Sequence, residues 1–217
     1  MRPIEIVCVA TVTVIAGLVL IPFVRHSHAI GQVSTMAQCG KNIYVFFARM
    51  DLDLGTGQES RLSFQNSTDY FRELLVTRQG EDPGSLRTLD ISAGLVPECK
   101  TPARFTSSNN AWTLLATSVT NEAFPVLLSR NLDVSSLLTH MSTTPTQTPA
   151  PLFTPPAEGQ PKWGKWAVVV VRGGAISMTE NAKKKFPAIL GTSFTKEQIP
   201  EQTFEYLTPD ERQTVTP

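Results

Sequence analysis

The chain has 217 residues, with 19 basic and 19 acidic side chains and a formal net charge of zero. That length suits one or two domains. At 41% hydrophobic and 18% charged residues it is too apolar for a disordered chain, and it lacks the basic excess of a nucleic-acid binder.

The apolar residues are unevenly placed. Ile6 to Val24 carries no charge, and Arg2 and Glu5 are the only charged side chains before it. A hydrocarbon core of roughly 30 Å needs about 20 helical residues, so this run is just long enough to span it. A cleavable secretory signal has an apolar core of about 7–15 residues and then a small-x-small site, whereas Pro22-Phe23-Val24-Arg25-His26 offers no such site. A buried helix in water is the third alternative, and the β-branched residues Val7, Val9, Thr11, Val12, Thr13, Val14 and Ile15 make it a poor one. Lipid tolerates them, because backbone groups there must bond internally. A retained membrane helix is therefore expected. Arg2 and the α-amino group lie on one side, and Arg25 and Lys41 on the other. With so short an N-terminal flank, a cytoplasmic N-terminus and a periplasmic or extracellular remainder are expected.

Glu5 is the most informative residue. A carboxylate in an apolar span costs on the order of 2.5–3.5 kcal/mol, and such groups are usually paired or functional. It is either solvated at headgroup level or meets a cation from another molecule, such as the α-amino group of a neighbouring Met1. Pro22 lies seventeen residues further on. Inside a helix it removes an i to i−4 bond, so it should bend or locally melt the span, with Gly17 as a second weak point.

Ile4-Glu5, the apolar run, Pro22 and the helical continuation through Cys39-Gly40-Lys41-Asn42 resemble the type IV pilin family, including the pseudopilins of type II secretion systems. The resemblance implies a prepilin peptidase that cuts just before Met1, with methylation of the new amine. With no leader ahead of Met1, the chain is expected to be the processed form or a variant that is never cleaved. The resemblance also implies that Glu5 pairs with the Met1 amine of an adjacent subunit during filament assembly. The helix would loosen between Gly17 and Pro22 in the filament.

Beyond the span, Ile30, Val33, Ala37, Tyr44 and Phe47 recur at helical spacing, with Gln32, Gln38, Lys41 and Arg49 on other faces. One helix over residues 3–50 is predicted, about 70 Å long. Asp51-Leu52-Asp53-Leu54-Gly55-Thr56-Gly57 ends it with glycines suited to a C-terminal turn, and lacks the ligand series of a calcium loop. Asn66-Ser67-Thr68 is both a helix cap and a glycosylation sequon. Capping is the preferred role, for a second helix over Thr68 to Arg78 with Tyr70, Phe71, Leu74 and Leu75 as its apolar face.

Gly80 to Ser108 reads as irregular connection. Strands are predicted over residues 111–116, 125–129, 166–172 and 175–178, each bounded by turn residues. Gly173-Gly174 should join the last two in a tight hairpin, with both glycines at positive φ. The Asn109-Asn110-Ala111-Trp112, Pro-Val-Leu-Leu-Ser-Arg-Asn and Trp-Ala-Val-Val-Val-Val-Arg-Gly-Gly runs also resemble pilin-like secretion proteins of Gram-negative bacteria. Between Thr143 and Pro161, six prolines and five threonines predict an extended, solvated loop. Lys183-Lys184-Lys185 reads as a solvated helix face, and Glu201 to Pro217 as polar surface. The expected architecture is α+β and pilin-like: a long N-terminal membrane and filament helix (1–53) packed on a small antiparallel sheet within a C-terminal domain (54–217).

Signals for chemistry are missing. His26 and His28 suit the membrane exit, His140 is isolated, and an His-x-His pair on a helix projects its rings about 200° apart. The sequence contains no Gly-x-Ser-x-Gly, His-Glu-x-x-His or phosphate-binding glycine loop. Neither an enzyme nor a cofactor is expected. Cys8 falls in the span, while Cys39 and Cys99 both fall on the presumed outer side, where oxidation is permitted. A Cys39–Cys99 disulfide and two unpaired thiols are both open. Two functions remain: a filament subunit assembling through its N-terminal helix, and a single-pass anchored domain that binds its partner as a monomer. For the first, the resemblance implies other copies of the chain, the inner membrane before assembly, the prepilin peptidase and the secretion or pilus machinery as partners.

Overall fold

The computed structural model describes residues 3–54, 63–78, 96–97, 99, 101–116, 122, 124–134, 166–180 and 204–215. In the first helix, side chains are described at 11, 14, 16–28 and 30–46. The N-terminal helix α1 runs over Pro3–Leu54 and a second helix, α2, over Ser67–Arg78. Six strands follow: β1 Trp112–Ala116, β2 Pro125–Ser129, β3 Trp166–Val171, β4 Ile176–Glu180, β5 Phe204–Leu207 and β6 Arg212–Val215. They form one antiparallel sheet in the order β4-β3-β2-β1-β5-β6. The fold is α+β, an N-terminal helix on an antiparallel sheet.

At 52 residues, α1 is about 78 Å long at 1.5 Å per residue. It continues without interruption through Gly17 and Pro22, so the local melting expected at Pro22 is not present in the single chain. Proline removes one donor, the one that would reach the Leu18 carbonyl, and the turns on either side keep theirs. The helix joins the core only from residue 33 onward. Val33, Met36, Cys39 and Ile43 are buried there, and Ala37, Tyr44 and Phe46 pack against them. Ile30, expected on that face, is 45% exposed. Phe47 lies outside the described side chains.

The same cluster takes in Tyr70, Phe71, Leu74 and Leu75 of α2, as their spacing predicts, with Trp112, Leu114, Leu127, Val168 and Val170 of the sheet. Because side chains alternate across a strand, Leu115, Leu128 and Val169 point to the opposite face, and they are buried too. Burial on both faces explains why β2 and β3 read as continuous apolar runs rather than alternating ones.

The cap of α2 is built as expected, although the helix starts one residue early, at Ser67. Asn66 Oδ1 accepts the Asp69 N–H at 2.7 Å and Asn66 Nδ2 donates to the Asp69 carboxylate at 2.8 Å. Ser67 and Thr68 are buried in a polar knot. Asn110 Nδ2 donates to Ser67 Oγ (2.8 Å) and Thr68 Oγ1 (3.2 Å), Ser67 donates to the Trp112 carbonyl, and Thr68 donates to that of Pro209. Capping and burial occupy the Asn66-Ser67-Thr68 motif, which leaves its asparagine amide poorly placed as a glycan acceptor.

Two expectations are corrected at the turns. The β3–β4 hairpin closes on a three-residue loop, Arg172-Gly173-Gly174, with Gly174 N–H bonded to the Val171 carbonyl at 2.9 Å and Val171 N–H to that of Ala175 at 3.0 Å. Only Gly174 has positive φ, 78°. That is the pattern of a turn followed by one left-handed residue, not of a two-residue hairpin. The C-terminal stretch read as polar surface instead supplies β5 and β6. Tyr206 and Leu207 are buried, and β5 lies against the central strand β1 with Leu115 opposite Tyr206. Burial, with Asp133 and Glu211 nearby, raises the Tyr206 pKa. Arg130, at the end of β2, reaches Asp210 in the β5–β6 turn at 3.1 Å.

His140, the 143–161 loop and Lys183-Lys184-Lys185 lie outside the described residues, as do the side chains of residues 51–54 and all of 55–57. Of Gly80 to Ser108, the described part holds the 3-10 turn Pro102–Arg104 and the start of another, Ser107–Asn109.

Candidate assembly surface on the N-terminal helix

Two halves of α1 meet different surroundings. In the half that joins the core, Gly40 lets helix and sheet come close. A Cβ there would lie 2.9 Å from the Trp112 ring and 3.0 Å from a Val170 methyl. Tyr44 donates its hydroxyl to the Arg172 carbonyl, and its ring covers Gly174, where a Cβ would lie 2.7 Å from a ring carbon. Gly174 therefore serves both the left-handed turn and the helix packed over it. The outward positions of this half are mostly polar: Gln38 Nε2 donates to Asn42 Oδ1 at 3.1 Å and Lys41 is exposed, with Val45 as an apolar exception.

The N-terminal half has no such cover. Every residue from Leu18 to His28 is exposed. Leu18 keeps 69% of its surface in the open, Phe23 66% and Val19 65%. Consecutive helical residues point about 100° apart, so Leu18 to Val24 is apolar and uncovered around the whole helix, not along one stripe. A helix that is apolar all round requires an apolar environment from outside itself.

Of the residues expected to act in assembly, Met1 lies outside the described residues, and Glu5 has a helical backbone with its side chain outside them. Cys8 is placed in the same way. Pro22 is exposed, and a Cβ on Gly17 would meet nothing within 4 Å. Cys39 and Cys99 are not joined by a disulfide. Cys39 is a buried member of the core, whereas the Cys99 thiol sits at its edge and donates to the Thr101 carbonyl at 3.2 Å. No group of three or more acidic, histidine or cysteine side chains that could hold a metal occurs among the described residues.

Among the described residues no helix is long and apolar enough to cross a membrane; the side chains at 6–10, 12, 13 and 15, within the Ile6 to Val24 run, lie outside them. Gly40, Tyr44, Trp112 and Gly174 were not picked out from the sequence as a unit, although Tyr44 lay on the predicted apolar face of the helix, Trp112 in a predicted strand and Gly174 in the predicted hairpin. Comparison with protein-family models, with curated proteins and with solved structures finds no match.

Proposed function

We propose that this chain is a structural subunit of a type IV pilus-like or type II secretion pseudopilus filament. The observation that carries the proposal is the apolar helix half, exposed on every side at Leu18 to Val24 and continuous with a half embedded in the sheet core. One rigid rod thus offers an all-round apolar surface at one end and a folded domain at the other. Before assembly the apolar end sits in the inner membrane, N-terminus on the cytoplasmic side and sheet domain in the periplasm. In the filament, the apolar ends of many copies cover one another, and Glu5 of one subunit meets the Met1 amine of the next. The pairing matters because an unpaired carboxylate in that bundle would be costly.

A second reading, a single-pass anchored domain that works as a monomer, draws on the outer positions Gln38, Lys41 and Asn42, which offer a neighbouring helix polar side chains beside the single exposed Val45. Glu5→Gln separates the two. It is expected to abolish filaments seen by electron microscopy of envelope preparations while leaving the protein in the membrane fraction. Normal filaments from that variant would defeat the pairing.

A further inference from the structure

The charges of α1 are one-sided. Between Glu5 and Asp51 the sequence has no acidic side chain, and its basic residues there are Arg25, Lys41 and Arg49, with His26 and His28. Arg25, His26 and His28 are all exposed and follow directly on the uncovered apolar half. At 100° per residue they fan over about 160° of the helix circumference, which makes them a partial collar and not a patch on one face. Lys41 lies about 20 Å further along the axis, beyond a screening length of about 8 Å. The collar's field is therefore its own.

Its position is also set. Arg25 lies twenty residues after Glu5, about 30 Å along a straight helix, which matches the thickness of a bilayer's hydrocarbon core. With the rod across a membrane and Glu5 at one boundary, the collar reaches the headgroups of the opposite leaflet. We propose that Arg25, His26 and His28 dock on anionic lipid headgroups there and set how deep the rod sits before it is withdrawn into a filament. Arginine forms paired hydrogen bonds to a phosphate, and an imidazole N–H donates one. The inference rests on the membrane-anchored state of the preceding section, which both readings share.

The test uses the full-length chain, diluted from detergent onto phosphatidylcholine vesicles with or without phosphatidylglycerol, then floated on a density gradient. The unmodified chain should favour the phosphatidylglycerol vesicles. Arg25→Gln should lower that preference about fivefold, the effect of one basic charge at a lipid surface, Arg25→Lys should largely keep it, and His26→Lys with His28→Lys should raise it. Binding to phosphatidylcholine alone should not change. Equal flotation with both vesicle types, or an equal loss on both with Arg25→Gln, would overturn the collar while leaving the anchor standing. Failure to float with either vesicle would remove the anchored state itself.

Discussion

The two halves of α1 are one helix with opposite fates. From Val33 to Phe46 one face of it packs into the chain's own core, and glycine, tyrosine and tryptophan fit together where it meets the sheet. From Leu18 to Val24 nothing in the described fold covers it, although these residues are the more apolar. Hydrophobicity alone therefore does not place a helix in a core. What places it is a partner surface, and here the chain supplies that surface to one half only.

The sharpest way to break this comparison is at the covered half. Trp112 is fully buried against Gly40, so Trp112→Ala should destabilise the domain by about 3–5 kcal/mol, measured by chemical denaturation. Gly40→Ala should cost less. Forcing a methyl against a ring that cannot move aside costs about 1–3 kcal/mol, and better helix propensity returns about 1 kcal/mol or less. A net gain in stability would show that the helix–sheet contact is looser than its geometry. At the uncovered half, Phe23→Ser should change domain unfolding by no more than about 0.5 kcal/mol, because the domain loses no contact. The same substitution should weaken recovery in the membrane fraction, which makes it the cleanest contrast with Trp112→Ala.

Local rules made several elements legible. The apolar run and its amphipathic continuation predicted α1, the Asn66-Ser67-Thr68 cap predicted α2, and four apolar runs bounded by turn residues predicted β1 to β4. The strands β5 and β6 were hidden because Phe204-Glu205-Tyr206-Leu207 is short and set among acidic and polar residues. What makes it a strand is β1, which offers a paired edge and an apolar neighbour, a long-range reward that no local pattern carries. Ile30 was misplaced for a related reason: helical spacing names a face, but not where the sheet beneath it ends.

The sequence by itself determined that a long, largely apolar helix precedes a mixed domain, that its only acid before residue 51 is Glu5, and that basic side chains alone follow over the next 45 positions. Composition and periodicity act through each residue's nearest neighbours in the chain, so these features needed no fold. Only the tertiary structure decided that the helix enters the core at Val33, that Gly40 and Gly174 mark its closest approaches to the sheet, that Cys39 and Cys99 stay unjoined, and that the C-terminal residues complete the sheet. Those outcomes depend on which surfaces meet between segments far apart in the chain, and packing between them settles the result.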